Sequence, residues 1–242
     1  MPKRRIMIKL SGEALAGENG VGVDPTTVKH IAKEIKEAYD ACDCEIGVIV
    51  GGGNIFRGKL AEDMGIERSS ADYMGMIGTI VNALALQNSL EAMGVDTRVM
   101  SSINIPEVAE PYIRRKALSH FEKERIVIFG GGTGNPYFST DTTAALRAAE
   151  LGATIVYMAK NGTDGVYDKD PRKFDNPVKY ENLTHQEVLS KNLNVMDSTA
   201  AALCYDNNID IYVFDMNIPG NIKKAILGED IGTMIRNKKR SE

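Results

Sequence analysis

Ile46-Gly47-Val48-Ile49-Val50-Gly51-Gly52-Gly53-Asn54 is a short apolar run that stops at three glycines. Its hydrophobicity is nearly continuous rather than alternating, as expected of a strand covered on both faces of a parallel sheet. Similar runs occur at Ile6–Leu10, Thr97–Met100, Ile126–Phe129, Ile155–Met158 and Ile211–Phe214. Helical patterns lie between them. Asp24-Pro25 is a helix-start signal, and Val28, Ile31, Ile35, Ala38 and Cys42 then share one helical face. A long, densely apolar helix is expected from about Ala71 to Met93. A third, Thr142–Leu151, follows the cap-forming Ser139-Thr140-Asp141 and ends at Gly152. Shorter helices are expected at His185–Lys191, Asp197–Asn207 and Ile222–Leu227. Strands alternating with helices imply right-handed βαβ units around a mostly parallel sheet.

The chain has 242 residues, of which 43% are hydrophobic and 26% charged; its 29 basic and 33 acidic residues give a net charge of −4. Such a chain buries a substantial core, and its composition excludes disordered, collagen-like and disulfide-scaffold classes. No linker or low-complexity segment divides it, although Asn176–Asn182 is turn-rich, so residues 1–242 are read as one domain. No apolar run approaches the ~18 residues of a membrane span. The basic start is followed only by Ile6-Met7-Ile8 before Lys9, too short for a signal-peptide core, and a cytoplasmic location is expected. A mildly acidic chain is not a general nucleic-acid binder. Cys42, Cys44 and Cys204 are odd in number and lack metal-ligand spacing, so reduced, buried thiols are expected.

Three strand ends run into glycine-rich turns: Lys9-Leu10-Ser11-Gly12, Gly51-Gly52-Gly53-Asn54, and Gly130-Gly131-Gly132-Thr133-Gly134-Asn135-Pro136. Ligands of open parallel sheets bind beyond the carboxyl ends of the strands. Glycine lets backbone N–H groups approach an anion closely. Lys9 lies within the first turn, Arg57 follows the second, and the third leads to a helix N-terminus at Asp141. Neither G-x-x-x-x-G-K-[ST] nor a G-x-G-x-x-G with its ribose acid is present. The loops alone indicate a phosphate-binding α/β enzyme.

These loops, with Asp164-Gly165-Val166-Tyr167 and Asp170-Pro171, resemble the amino acid kinase family. Residues 51–58, Asp72-Tyr73-Met74-Gly75-Met76 and residues 133–141 are similar to its bacterial uridylate kinases, and the similarity continues to Val213–Asn217 and Gly232–Ile235. The resemblance implies a three-layer α/β/α sandwich, transfer of the ATP γ-phosphoryl to UMP in pyrimidine nucleotide synthesis, a homohexamer, GTP activation and UTP inhibition. It implies Mg²⁺ arriving as MgATP, held mainly by phosphates and water rather than by a protein cage.

On this resemblance Lys9 is the catalytic cation, and Arg57 holds a phosphate bidentately. Leu10, Ser11, Gly12, Gly53, Asn161, Tyr167 and Asp170 fall on the ATP side, with Lys160 as a further phosphate cation. Gly52 donates its N–H toward UMP. Asp72, placed at the opening of the long helix, accepts from the ribose hydroxyls. Thr133, Gly134, Asn135, Pro136, Tyr137, Phe138, Ser139 and Thr140 wrap the uracil and UMP phosphate. Asp141 either orients Lys9 or an ATP-bound Mg²⁺, or only caps its helix. Gly17, Glu18, Asn19, Gly20, Val21 and Gly22 match the stretch linked to the GTP effector.

Phosphoryl transfer rests on positioning and charge neutralisation, and the UMP phosphate, with a second pKa of ~6, is already an ionised nucleophile. No base apparatus is therefore expected, and His30, His120 and His185, all in polar helical contexts, are expected on the surface. Met74, Met76, Met93 and Met100 are expected to fill core gaps, and Arg236-Asn237-Lys238-Lys239-Arg240 to form a solvated end. Two rivals remain: a family member acting on acetylglutamate or aspartate, and a non-catalytic nucleotide sensor. Asp72 with residues 133–141 argues against the first, and the Lys9 and Arg57 cation set against the second.

Overall fold

A computed structural model describes residues 3–193 and 195–237. In chain order the strands are β1 (Arg4–Leu10), β2 (Cys44–Val50), β3 (Thr97–Ser101), β4 (Glu110–Pro111), β5 (Ile126–Gly130), β6 (Ile155–Lys160), β7 (Val166–Tyr167), β8 (Lys179–Tyr180), β9 (Asn182–Thr184), β10 (Asp210–Asp215) and β11 (Thr233–Arg236). The helices are α1 (Pro25–Ala41), α2 (Gly58–Asp63), α3 (Arg68–Glu91), α4 (Arg114–Glu122), α5 (Thr140–Leu151), α6 (His185–Ser190), α7 (Ser198–Asp206) and α8 (Asn221–Leu227).

Nine strands form one sheet in the order β4-β3-β5-β2-β1-β6-β10-β11-β9, and β7 pairs with β8 in a separate hairpin. All six apolar runs became strands of the large sheet. The sheet is parallel from β4 through β10; β11 runs antiparallel to β10, and β9 is parallel to β11. Two-residue periodicity divides the core. Ile6, Ile8 and Leu10 of β1 pack with α1, α3 and α8 on one face, whereas Met7 packs with α4, α5, α6 and α7 on the other. The result is a three-layer α/β/α sandwich.

Local signals explain most boundaries. Asp24 caps α1 by accepting from the Thr27 N–H at 2.7 Å, with Pro25 in the first helical position. Gly152 ends α5 with φ +68°, a left-handed conformation that glycine adopts without Cβ strain. The long helix α3 starts at Arg68 rather than Ala71, so Asp72 is its fifth residue, not its opening one.

Several expectations are corrected. His120 and His185 are buried at 8% and 2% exposure rather than on the surface. His120 lies 3.2 Å from both Glu110 and Arg125, and the His185 Nε2 lies 3.0 Å from the Ile209 carbonyl oxygen, so polar partners make burial affordable. Burial holds the His185 pKa below its ordinary value. Cys42 and Cys44 form a disulfide instead of remaining reduced, because the short α1–β2 turn brings their sulfurs together; Cys204 is free and buried. Met76 and Met100 are buried, but Met74 lies on the outer face of α3 and is exposed. Arg236 belongs to strand β11, where it pairs with Asp210 at 3.1 Å, while Lys238, Lys239 and Arg240 lie outside the described residues. No helix among the described residues is long and apolar enough to cross a membrane.

Candidate active site

The chain leaves β1 in one direction along the sheet, to β2, and the later β5–α5–β6 connection passes back over β2 and β1 on the opposite face. The strand order therefore reverses beside β1 and β6, and a crevice opens at their carboxyl ends. Lys9 is the penultimate residue of β1. The same alternation that sends Ile8 and Leu10 toward α1 sends Lys9 toward α5. Its Nζ lies 2.8 Å from Asp141 Oδ1, with the two side chains only 13% and 18% exposed. The N-cap of α5 is Ser139, whose hydroxyl accepts from the Thr142 N–H at 3.0 Å. Asp141 thus spends its carboxylate on Lys9 rather than on capping. Lys160 ends the adjacent strand β6 and donates to the Val195 carbonyl at 2.7 Å. Burial lowers its pKa, the nearby Asp141 raises it, and Lys9 lowers it further.

The triple-glycine turn is tied down from below. Gly51 donates to the Leu10 carbonyl at 2.9 Å. The buried Asn54 and Asn82 exchange amide hydrogen bonds at 3.0 and 2.7 Å, and Asn82 also donates to the Gly51 carbonyl at 2.7 Å. A Cβ on Gly52 would overlap the Gly75 carbonyl oxygen in α3, so the loop lies directly on that helix. Asn54 also exchanges bonds with Gly22, through its amide at 2.6 Å and its carbonyl at 2.8 Å. Arg57 stands at the rim. It donates to the carbonyls of Gly53 and Gly20 at 3.1 and 3.2 Å and pairs with Glu13 at 3.1 Å.

A cleft of ≈ 190 Å³ opens between this turn, α3 and the third glycine loop. Gly52, Gly53, Asp72, Met76, Thr79, Gly132, Asn135, Phe138, Ser139, Thr140 and Thr143 are among its lining residues. Asp72 Oδ2 accepts from the Tyr137 N–H at 2.7 Å and pairs with Arg68 one turn earlier at 3.5 Å. Arg68 in turn covers the Tyr137 ring at 5.4 Å. Tyr137 has φ +72°, an uncommon conformation for a bulky residue, held there by the Asp72 bond. Ser139 and Thr142 donate their hydroxyls to Asp197, which caps α7 through the Ala200 N–H at 2.9 Å. Burial opposes the Asp197 charge, but these bonds hold its pKa below the usual carboxylate range.

A larger cleft of ≈ 500 Å³ lies on the other side of Lys9. Ser11, Lys160, Asn161, Tyr167 and Asp170 are among its walls. Tyr167 donates to Asp164 at 2.6 Å, which pushes its pKa up to about 12, and Lys179 pairs with Asp164 at 2.8 Å. Asn161 accepts from Asn217 at 2.5 Å. Leu10 faces the core, and Gly12 packs on Gly51. Gly53, expected on the ATP side, lines the smaller cleft. Thr133, Gly134 and Pro136 belong to the third loop without lining that cleft, and Tyr137 is exposed.

The sequence reading missed Thr79, Asn82, Arg147 and Asp197. For Thr79, Asn82 and Asp197 the signal is a polar residue at a helix start or in a helix register that otherwise faces the core.

The sequence model of the amino acid kinase family matches residues 4–215, nearly the whole chain. The chain belongs to the amino acid kinase family. The crystal structure of UMP kinase from Bacillus anthracis matches with a TM-score of 0.94 at 41% identity, over 99% of this chain and 98% of that one. UMP kinase from Ureaplasma parvum matches at 0.93 and 39%, over 98% and 100%. Uridylate kinase from Archaeoglobus fulgidus matches at 0.72 and 30%, over 95% and 99%. The fold and family expected from the sequence are therefore correct. As a member of the amino acid kinase family the chain is a phosphotransferase, and its site suits that chemistry: cations and backbone N–H groups converge where polyanions would meet.

Proposed function

We propose that this kinase transfers the γ-phosphoryl of MgATP to the 5′-phosphate of UMP, releasing ADP and UDP for pyrimidine nucleotide synthesis. One observation carries this reading. Lys9 lines the larger cleft, and its ion-pair partner Asp141 directly follows Thr140, which lines the smaller one. Two clefts linked through one largely enclosed lysine suit a donor and an acceptor that exchange a phosphoryl group. An oxygen of the UMP phosphate forms the new bond to phosphorus as the bridge to ADP breaks. The UMP phosphate needs no base, since it is already ionised near neutral pH.

Lys9 neutralises charge on the transferring group while Asp141 fixes its position. Arg57, held among the described residues by Glu13 and two carbonyls, exchanges those partners for a phosphate. Gly52 and Gly53 present backbone N–H groups, and Asn135, Phe138, Ser139 and Thr140 enclose the nucleoside. Ser11, Asn161, Tyr167 and Asp170 serve ATP, whose Mg²⁺ enters with it as part of the substrate. Three further features belong to the same proposal: GTP activation through residues 17–22, UTP inhibition and a homohexamer. The first is supported by the bond from Arg57 to Gly20. The last is supported by exposed Tyr73, Ile77 and Val81, which recur every four residues along α3.

ADP release measured with MgATP and UMP, CMP, dUMP, acetylglutamate or aspartate tests the assignment. UMP should be turned over and dUMP poorly. Turnover of acetylglutamate but not UMP would overturn it, and tight UMP binding without turnover would favour a sensor.

Asp72→Asn gives a second result. The amide oxygen still accepts the Tyr137 N–H, so the fold and Tm should hold. The loss of charge should raise the KM for UMP about tenfold, the size of one charge-assisted bond to a hydroxyl. An unchanged KM would remove Asp72 from ribose recognition.

A further inference from the structure

Arg147 is 3% exposed, lies in the middle of α5, and touches neither cleft as a wall residue. A buried guanidinium is costly unless its donors are used. One Nη1–H goes to Glu150 at 2.5 Å, and the guanidinium plane stacks 3.8 Å from the centre of the Tyr112 ring. Tyr112 itself donates to Glu150 at 2.7 Å. These contacts alone would make a structural ion pair.

The other arm runs through Ser102 to Gly132, a residue that lines the smaller cleft. Arg147 Nη2 donates to Ser102 Oγ at 2.8 Å, and Ser102 Oγ donates to the Gly132 carbonyl at 2.9 Å. Because arginine only donates, Ser102 must accept on that side, and its own proton is then directed to Gly132. Arg147 Nη2 also lies 3.5 Å from the same carbonyl. The Gly132 carbonyl is thereby held toward the interior. Gly131 and Gly132 have φ +76° and +57°, so the turn lies where a peptide can rotate with little steric resistance. In a trans peptide the next N–H points opposite the carbonyl. The Thr133 N–H is therefore turned away from Arg147, and it makes no hydrogen bond among the described residues.

We propose that Arg147, acting through Ser102, is a positioning residue that fixes the Gly132–Thr133 peptide so that the Thr133 N–H can donate to an oxygen of the bound nucleotide. This rests on the UMP reading of the smaller cleft and adds to it the device that orients its third glycine loop. Arg147 contacts no substrate. Its effect is confined to the acceptor side, since the loop it holds lies away from the larger cleft.

Steady-state kinetics with each substrate varied, with calorimetric UMP binding and Tm on the same samples, test the proposal. Arg147→Met should raise the KM and Kd for UMP about tenfold and leave the KM for ATP unchanged. Ser102→Ala breaks the relay but keeps the Arg147–Glu150 pair, so it tests the same link where Arg147→Met folds poorly. It should shift UMP affinity in the same direction with Tm near that of the wild type. Because both variants act on one carbonyl, the double variant should be no worse than Arg147→Met alone. A wild type that does not turn over UMP would overturn the underlying reading. An active wild type with Ser102→Ala at unchanged UMP affinity would overturn the proposal alone, as would equal rises in both KM values.

Discussion

Lys9→Met should lower kcat for UMP-dependent ADP release by about a thousandfold, the scale on which a donor aimed at developing charge contributes. The methionine fills nearly the same volume, so the strand and its register should survive. Two losses combine at the site. The cation nearest the point of transfer disappears, and the Asp141 carboxylate, formerly 2.8 Å from it, is left facing two polyanions. The second loss can be separated from the first. Adding Asp141→Asn to Lys9→Met removes the stranded negative charge and should recover part of the lost rate, about tenfold by the strength of a charge interaction in a half-buried site. In an otherwise wild-type enzyme the same Asp141→Asn change should reduce kcat, since Lys9 then loses its tether. This reversal of sign distinguishes an orienting partner from an inhibitory charge. A kcat for Lys9→Met within tenfold of the wild type would shift the role to Lys160, the partly buried lysine that ends the adjacent strand β6.

How much of this was legible in the sequence follows from which interactions are local. Ile126–Phe129 was readable as a buried strand because a parallel sheet covers both faces and leaves an unbroken apolar run, and Ile6–Leu10 departs from that pattern only at Lys9. Strands β9 and β11 were not, since each has only three or four residues of mixed character and pairs at the antiparallel edge. Ser139, Thr140 and Asp141 all have cap-forming side chains. Only the packing of α5 against β1 decides that Ser139 caps and Asp141 meets Lys9. Asp72 was displaced from the helix start by four residues because Glu67 and Arg68 carry no recognisable capping signal. Arg147 gave no signal at all, because an arginine after Ala144-Ala145-Leu146 reads as an ordinary exposed helix residue. Its burial depends on partners 35 and 45 positions earlier, Tyr112 and Ser102.

The family resemblance supplied what locality could not, namely which cations and loops belong to which substrate. Geometry then refined it. Gly53 falls beside the smaller cleft, and residues 17–22 are joined to the triple-glycine turn by Asn54 and Arg57. On the proposal that residues 17–22 take GTP, this direct connection to the triple-glycine turn needs no long relay. A change in the Gly20 or Gly22 carbonyl positions acts directly on residues already placed at the site.

Gly52→Ala should reduce kcat/KM for UMP about a hundredfold, the scale of a displacement near 1 Å in a positioned site. The added methyl would overlap the Gly75 carbonyl oxygen and lie 3.0 Å from the Thr79 nitrogen. Those atoms are the acceptor and donor of one α3 helical turn, so neither can step aside without breaking the helix ladder. Nor can the helix retreat as a body. Asn82, one turn further on, is bonded to the Gly51 carbonyl, and the Thr79 hydroxyl accepts from the Gly131 N–H at 2.7 Å. The strain must therefore be relieved by the glycine turn itself, which moves the Gly52 and Gly53 N–H groups, or by Thr79, which carries the third loop with it. Either route disturbs two walls of the smaller cleft, the proposed UMP site, at once. Overpacking of this kind also destabilises by about 1–3 kcal/mol, so Tm should fall. Gly53→Ala is the matched control: a Cβ there meets nothing within 4 Å, and Tm should stay unchanged. A Gly52→Ala enzyme with wild-type Tm and wild-type kcat/KM would mean that the loop is not seated on α3 when substrate binds.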